Sequence, residues 1–402
     1  MNPTYDVAAV REHFPALRDG AAHFDGPGGS QTPDVVAAAI TATLTGPLAN
    51  RGSLTPAERN AEEAVQRGRS ALGDLLGADP GGIVFGRSMT QLTFDLARTM
   101  AKEWGPGDEV VLSRLDHDAN VRPWVIAAGA VGARVKWADF DPATGELPAE
   151  TISDLLTDRT RVVALTGASN LIGTMPDLSA IADLVHTTSA WFYVDGVHLT
   201  AHAAVDMVDL GADFFACSPY KFLGPHCGVV AGRVELLERL RPDKLLPSPD
   251  RVPERFELGT LPYELMAGTA AAVDFLSGLV PGSGSRRERL VASMSALEAH
   301  EDRLRRRIEQ GLSALPGATI HSRAARRTPT LLVTFDGERP GDIARHLAGQ
   351  GVNAPAGTFY AYEPARHLGL DDEGGLRIGL APYNDDADVD RLLEALHSCF
   401  AH

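Results

Sequence analysis

The sequence predicts an α/β protein: a large domain with a mostly parallel central sheet, plus a smaller C-terminal α+β domain. Three observations carry this reading. Short apolar runs alternate with helical stretches of about a dozen residues from Gly82 to Cys217, the pattern of β-α-β units. The pattern changes after about Thr260, and Pro281-Gly-Ser-Gly-Ser285 makes a break. With 402 residues, 44% hydrophobic and 22% charged, the chain can bury a sizeable core and is not a disordered one.

The elements follow in order. Residues 1–20 read as a short helical arm, and Pro33 to Leu48 as a helix with Thr32 as its cap. Ala57 to Leu76 has the spacing of a longer amphipathic helix. Gly82 to Phe85 is a strand, Thr90 to Glu103 a helix, and Glu109 to Leu112 a strand. Asn120 to Ala130 is a helix, Ala133 to Ala138 a strand, and Asp141-Pro-Ala-Thr-Gly145 a turn. Pro148 to Leu156 is a helix, Arg161 to Thr166 a strand, and Leu178 to Thr187 a helix. The strands Trp191 to Val194 and Phe214 to Cys217 complete the large domain's pattern. Ala267 to Leu279 and the Arg- and Glu-rich Arg287 to Leu315 are helices. Strand, helix, strand, helix then follow at Thr330 to Phe335, Gly341 to Gly349, Leu376 to Leu380 and Asp386 to Phe400. The expected division is an arm over 1–20, a large domain over 21–280, and a small domain over 281–402 packing with the arm.

Composition narrows the function. The 37 Lys and Arg against 53 Asp and Glu leave a net charge of −16, against a nucleic-acid or anionic-membrane binder. No apolar run approaches the roughly 20 residues of a bilayer span, and the N-terminus lacks a signal pattern. The three cysteines, Cys217, Cys227 and Cys399, suit neither a disulfide framework nor a clustered metal site. The expectation is a cytoplasmic enzyme without metal. Lysine chemistry has four candidates: Lys102, Lys136, Lys221 and Lys244.

Two strand ends bear chemistry. Trp191-Phe-Tyr-Val-Asp195-Gly-Val-His198 places a carboxylate at the C-terminal mouth of a strand, where open α/β sheets bind ligands; it could also simply cap the next turn. Phe214-Phe-Ala-Cys-Ser218-Pro-Tyr220-Lys221 places a lysine among aromatic and apolar neighbours, unlike the other three. Desolvation there lowers a lysine pKa and frees its amine for Schiff-base chemistry. A lysine and a carboxylate at adjacent strand ends are what a pyridoxal-phosphate site needs, the one for the aldehyde and the other for the pyridine nitrogen. Phe85-Gly-Arg-Ser-Met89-Thr90 lies between strand and helix, where backbone N–H groups can cradle a phosphate. Leu115-Asp116-His117-Asp118-Ala119-Asn120 supplies an imidazole after another strand.

On these residues the chain resembles the class V aminotransferases of the fold-type I pyridoxal-phosphate enzymes, in the branch of the SufS-type cysteine desulfurases. The resemblance runs from about Phe24 to Phe400. It is most specific at Asp116 to Asn120, at Ser169-Asn170-Leu-Ile-Gly173-Thr174, at Asp195 to His198, at Ser218 to Lys221 and at Arg377. It implies Lys221 as Schiff-base lysine and Cα base, Asp195 on the pyridine nitrogen, and His117 stacked on the ring. His198 stands where the family often has a Gln on the phenolic oxygen. Met89, Thr90 and Ser218 match the phosphate cradle, and Tyr220 stands where many relatives have a phosphate-binding His. Thr260 matches a segment reaching the phosphate of the other subunit, which implies a homodimer with shared active sites. Asn170 and Arg377 match the substrate-carboxylate clamp, and Arg51 a further active-site arginine. An arginine fork suits a carboxylate physically, although a surface salt bridge is the other use of Arg377.

One part of the family pattern is missing. Cysteine desulfurases carry a thiolate on a loop shortly before the clamp arginine, and Val352 to Arg377 contains no cysteine. What survives is chemistry requiring only lysine, cofactor and carboxylate clamp. The leading expectation is C–S bond cleavage on cysteine or an S-substituted cysteine, with Phe359, Tyr360 and Tyr362 shaping a pocket for a larger side chain. An aminotransferase or epimerase on another amino acid is the alternative, and a non-catalytic cofactor-binding partner protein the second.

Overall fold

The computed structural model describes residues 5–400. Residues 1–4 of the expected arm and 401–402 of the expected small domain lie outside the described residues. The strands, in chain order, are β1 (Ala22–His23), β2 (Ile83–Gly86), β3 (Glu109–Ser113), β4 (Arg134–Ala138), β5 (Thr160–Thr166), β6 (Trp191–Asp195) and β7 (Phe214–Cys217). They continue with β8 (Gly228–Gly232), β9 (Ala318–Ile320), β10 (Thr330–Phe335), β11 (Val352–Asn353), β12 (Ala356–Gly357) and β13 (Gly375–Gly379).

Strands β2 to β8 form one sheet in the order β2-β8-β7-β6-β5-β3-β4. Neighbours from β7 to β4 pair in parallel, while β8 runs antiparallel to both β7 and β2. Strands β5, β6 and β7 are buried almost throughout, so they read as continuous apolar runs, as parallel strands covered on both faces must. Successive side chains point to opposite faces. Tyr193 and Phe214 pack with Leu96, Val110, Leu112 and Trp124 under the helices Met89–Ala101 and Arg122–Val131. Phe192, Val194 and Phe215 pack on the other face with Val65, Leu72, Ile181 and Val273, from the helices Pro56–Leu76, Leu178–Val185 and Tyr263–Leu276.

The helix ends follow local chemistry. Thr55 caps Pro56–Leu76 in a reciprocal capping box with Glu58, and Gly77 ends it in the left-handed region at φ 61°. Ser285 and Glu288 make the same box at the start of Arg286–Ser313. Thr32 does not cap Asp34–Thr45: Pro33 occupies the N-cap position and offers no side-chain acceptor.

The second sheet has the order β12-β13-β10-β9 and is antiparallel. Leu304, Ile308, Leu331, Val333, Ile378 and Leu392 fill its core beneath Arg286–Ser313 and Asp386–Cys399. The N-terminal segment contacts this unit: β1 pairs in parallel with β11, Arg11 bridges Asp385 and Asp388, and the Tyr5 hydroxyl donates to the Pro382 carbonyl at 2.6 Å. Among the described residues no helix is long and apolar enough to cross a membrane.

Candidate active site

Parallel strands deliver their C-terminal ends to one edge of the sheet, where such folds place ligand sites. Here that edge presents Asp195 as the last residue of β6, Ser218 and Lys221 after β7, His117 after β3, Thr166 as the last residue of β5 and Ala168 just beyond it. Together with Pro27, Ser88, Met89, Thr90, Asn170, His198 and Tyr220 they line one cavity.

Asp195 is almost fully buried and accepts from the Val197 N–H at 3.0 Å. Burial raises its pKa to about 6, opposed by that N–H and by the Lys221 charge. Lys221 donates from Nζ to the Pro27 carbonyl. Burial lowers its pKa to about 7; the Arg377 charge adds to the effect and Asp195 opposes it. His117 caps a short turn, its Nδ1 accepting from the Ala119 N–H at 3.0 Å. The neutral ring therefore carries its hydrogen on Nε2. Burial, then the Lys221 charge, lowers its pKa to about 4. The turn is anchored by the buried Asp116, which accepts from Ser113 and from Asn120, and by Trp124, which donates to Asn120.

The turn expected to cradle a phosphate is built tightly. Ser88 caps the helix Met89–Ala101, its Oγ accepting from the Gln91 N–H at 3.1 Å. Behind it lies Gly228 of β8, where a Cβ would meet the Ser88 carbonyl carbon at 2.0 Å and the Met89 nitrogen at 2.1 Å. Tyr220 stacks face to face on His226, with ring centroids 4.8 Å apart and planes inclined at 7°.

Arg377 lies in the middle of β13 and is 2% exposed. Its Nη1 donates to the Asn170 carbonyl at 3.1 Å, the Phe359 ring lies 3.6 Å from its guanidinium carbon, and its buried Nε has no partner. Burial lowers its pKa to about 9. The Asn170 amide donates to the Phe359 carbonyl at 3.0 Å, and its buried Oδ1 is unpartnered.

Other expected residues lie differently. His198 lines the cavity, yet its Nε2 is held by the hydroxyls of Thr328 at 2.9 Å and Thr330 at 3.0 Å. Thr260 is exposed, outside this chain's cavity. Arg51 is not brought into the cavity: it pairs with Glu62 and Glu254. None of the three cysteines lines it; Cys217 and Cys227 are buried, with burial pushing both thiols up, and Cys399 sits in the last helix. No metal-holding cluster of His, Cys, Asp or Glu occurs among the described residues. Sequence reasoning passed over Pro27, Thr328 and Thr330. Only the glycine-rich Asp25-Gly-Pro-Gly-Gly29 carried a local signal, a turn in which Gly29 adopts φ 155° against the Tyr220 ring.

The residues fit pyridoxal phosphate. A buried carboxylate, an uncharged imidazole and a desolvated amine surround one cavity beside a helix N-terminus. Asn170 also lines it, with Oδ1 unpartnered, and bonds through its carbonyl to Arg377, whose Nε is unpartnered.

The family model described as "Aminotransferase class-V" matches residues 22–392. An uncharacterized protein of Mycobacterium tuberculosis, MT3887, is 34% identical over 98% of this chain and 99% of its own. The cysteine desulfurase CsdA of Escherichia coli is 29% identical over 98% of this chain and 97% of its own. Its crystal structure matches with a TM-score of 0.87, 27% identity and 99% coverage of both chains. The fold is shared as well, at a TM-score of 0.78 and 21% identity, by a lysine-to-alanine mutant of C-DES with glycine covalently linked to its pyridoxal-phosphate cofactor, covering 96% of this chain and 98% of that one.

Proposed function

The chain belongs to the class-V aminotransferase family, and from that premise we propose that it is a pyridoxal-phosphate enzyme that cleaves the C–S bond of cysteine or an S-substituted cysteine. The observation that carries the reading is the gathering of Lys221, Asp195, His117 and Asn170 at one cavity that no cysteine lines, with Arg377 bonded to the Asn170 carbonyl. The named cysteine desulfurase relative supports C–S cleavage, and the absence of a thiol favours β-elimination: a cysteine conjugate and water give a thiol, pyruvate and ammonium.

When bound, the cofactor supplies an electron sink in conjugation with the substrate α-carbon. Lys221 would hold its aldehyde carbon, Asp195 its pyridine nitrogen, His117 its ring face, His198 its phenolic oxygen, and the Ser88–Thr90 backbone with Ser218 and Tyr220 its phosphate. With the substrate bound, Nζ of Lys221 would take the α-proton, a task suited to an amine with a pKa of about 7. Arg377 and Asn170 hold the carboxylate and fix which Cα bond lies over the site. The Nε2–H of the uncharged His117 would hydrogen-bond the departing thiolate, and Lys221, protonated by the α-proton it has taken, would return that proton to the sulfur. An open cavity of about 390 Å³ beyond it, walled by Asp118, Arg122, Phe359, Tyr360 and Tyr362, leaves room for the sulfur's substituent.

Incubation with cysteine and a panel of S-substituted cysteines, without keto acid, tests this by mass spectrometry. Pyruvate with the free thiol is expected. Alanine with released sulfur would mean desulfuration. If neither appears and amino groups pass to keto acids, or the α-proton exchanges without C–S cleavage, the reading fails in favour of transamination or epimerisation. A cytoplasmic homodimer is part of the proposal. It is supported by the exposed Leu44, Leu54 and Leu258 and by the placement of Thr260 outside its own cavity. A monomeric mass by light scattering from a fully active sample would contradict it.

A further inference from the structure

The carboxylate subsite proposed above has an unassigned third member. Phe359 meets both of its groups at once: its ring lies 3.6 Å from the Arg377 guanidinium carbon, and its carbonyl accepts from the Asn170 amide at 3.0 Å. The arrangement is held from both sides. Asp118, next to His117, donates its N–H to the Tyr360 carbonyl at 2.8 Å, and the Tyr360 ring tilts over His117 at 5.7 Å. Phe359 and Tyr360 both adopt left-handed backbone, at φ 55° and 58°. Two consecutive non-glycine residues in that region persist only where their surroundings over-determine them.

A guanidinium offers its faces to aromatic rings and its edges to hydrogen-bond acceptors. The ring of Phe359 takes the face of Arg377, and the Asn170 carbonyl takes one N–H of Nη1. The remaining edge is left for an acceptor, and its buried Nε lacks one. Gly28 comes close to it, where a Cβ would lie 3.5 Å from Nη2, and the charge of the Asp25 carboxylate opposes the effect of burial on the guanidinium. Likewise the Phe359 carbonyl uses one amide hydrogen of Asn170 and leaves the other. An α-carboxylate has the two acceptor oxygens to take them up.

We propose that Phe359 is the positioning residue of the carboxylate subsite, its ring holding Arg377 edge-on to the cavity and its carbonyl aiming the Asn170 amide, so that both present free N–H bonds to one amino-acid carboxylate. The proposal rests on the amino-acid reading of the site but not on which bond is cleaved. It makes Phe359 a determinant of selectivity for α-amino acids over simple amines.

The test uses the holoenzyme and two ligands that differ only in the carboxylate, L-alanine and ethylamine. Binding is read from the change in the cofactor's absorption band, not from turnover. Phe359→Leu, which keeps an apolar side chain but no ring, should weaken alanine binding roughly tenfold and leave ethylamine binding unchanged. Phe359→Tyr should restore the parent selectivity. An equal loss for both ligands, or parent selectivity in Phe359→Leu, would overturn the proposal. If the parent binds the two ligands equally well, the carboxylate subsite itself is wrong, an outcome that Arg377→Leu would confirm by changing neither. Should Phe359→Leu fail to fold, Phe359→Met supplies the same contrast.

Discussion

In the cofactor-free protein the Lys221 amine loses its proton near pH 7, because burial lowers its pKa first and the Arg377 charge second, against the pull of Asp195. An amine with a pKa of about 7 is about nine-tenths neutral at pH 8, where an ordinary lysine near 10.4 is only about 0.4% neutral, a roughly two-hundred-fold difference in reactive amine. Uptake of pyridoxal phosphate, followed by its absorption band, should therefore accelerate with rising pH through a midpoint near 7. Nα-acetyl-lysine run in parallel accounts for ionisation of the aldehyde itself. The two charges give the signs. Arg377→Leu removes a like charge and should move the midpoint up, and Asp195→Asn removes a counter-charge and should move it down. A parent midpoint above about 9, or shifts of the same sign in both variants, would refute the desolvation argument.

Three other perturbations address separate parts of the molecule. Gly228→Ala places a methyl group about where the Ser88 carbonyl carbon now lies, within 2.0 Å, so the purified variant should lose the cofactor's colour; retained colour would contradict the phosphate cradle. The variant with Cys217, Cys227 and Cys399 all changed to Ala should still form pyruvate from cysteine conjugates, because none of these side chains reaches the cavity. Glu62 has its pKa lowered to about 2, first by the Arg51 hydrogen bond, so its stabilisation is present above the ordinary carboxylate range and is lost as pH falls toward 2. Because Glu62 is 36% exposed, that stabilisation is about 1 kcal/mol at most, and Glu62→Gln should flatten urea-measured stability between about pH 5 and 2 by no more than this.

What was legible in the sequence had local causes. The buried strands β5, β6 and β7 announce themselves as apolar runs, and Asp195 and Lys221 stand out because charge follows such a run within a few residues. Strand β8 escaped notice: five residues bracketed by glycines look like a turn, and only pairing with β7 and β2 makes them a strand. Arg51 was expected at the substrate, and nothing in its own stretch announced its pairing with Glu62 and with Glu254, some two hundred residues on. Phe359 was visible as an aromatic residue in the right loop. Its contacts with Arg377 and Asn170, however, join three separate stretches of chain, and no spacing rule predicts them.

The missing loop thiol shifts the burden of C–S cleavage onto whatever stabilises the departing sulfur, and the geometry leaves His117 for that work. Its Nδ1 is occupied by the Ala119 N–H, burial keeps the ring uncharged, and its Nε2 has no hydrogen-bond partner among the described residues. A donor helps most when the leaving thiolate is strongly basic, so its loss should be felt unequally. His117→Phe keeps a flat ring in place and should leave the cofactor content unchanged. With S-alkylcysteines, whose thiols are weak acids, pyruvate formation should fall about a hundredfold, the usual cost of losing one preorganised hydrogen-bond donor to developing negative charge. With S-nitrophenylcysteines, whose thiolates leave unaided, the loss should shrink toward nothing. A uniform loss across both classes would mean that His117 acts only on the cofactor ring and gives the departing sulfur no hydrogen bond.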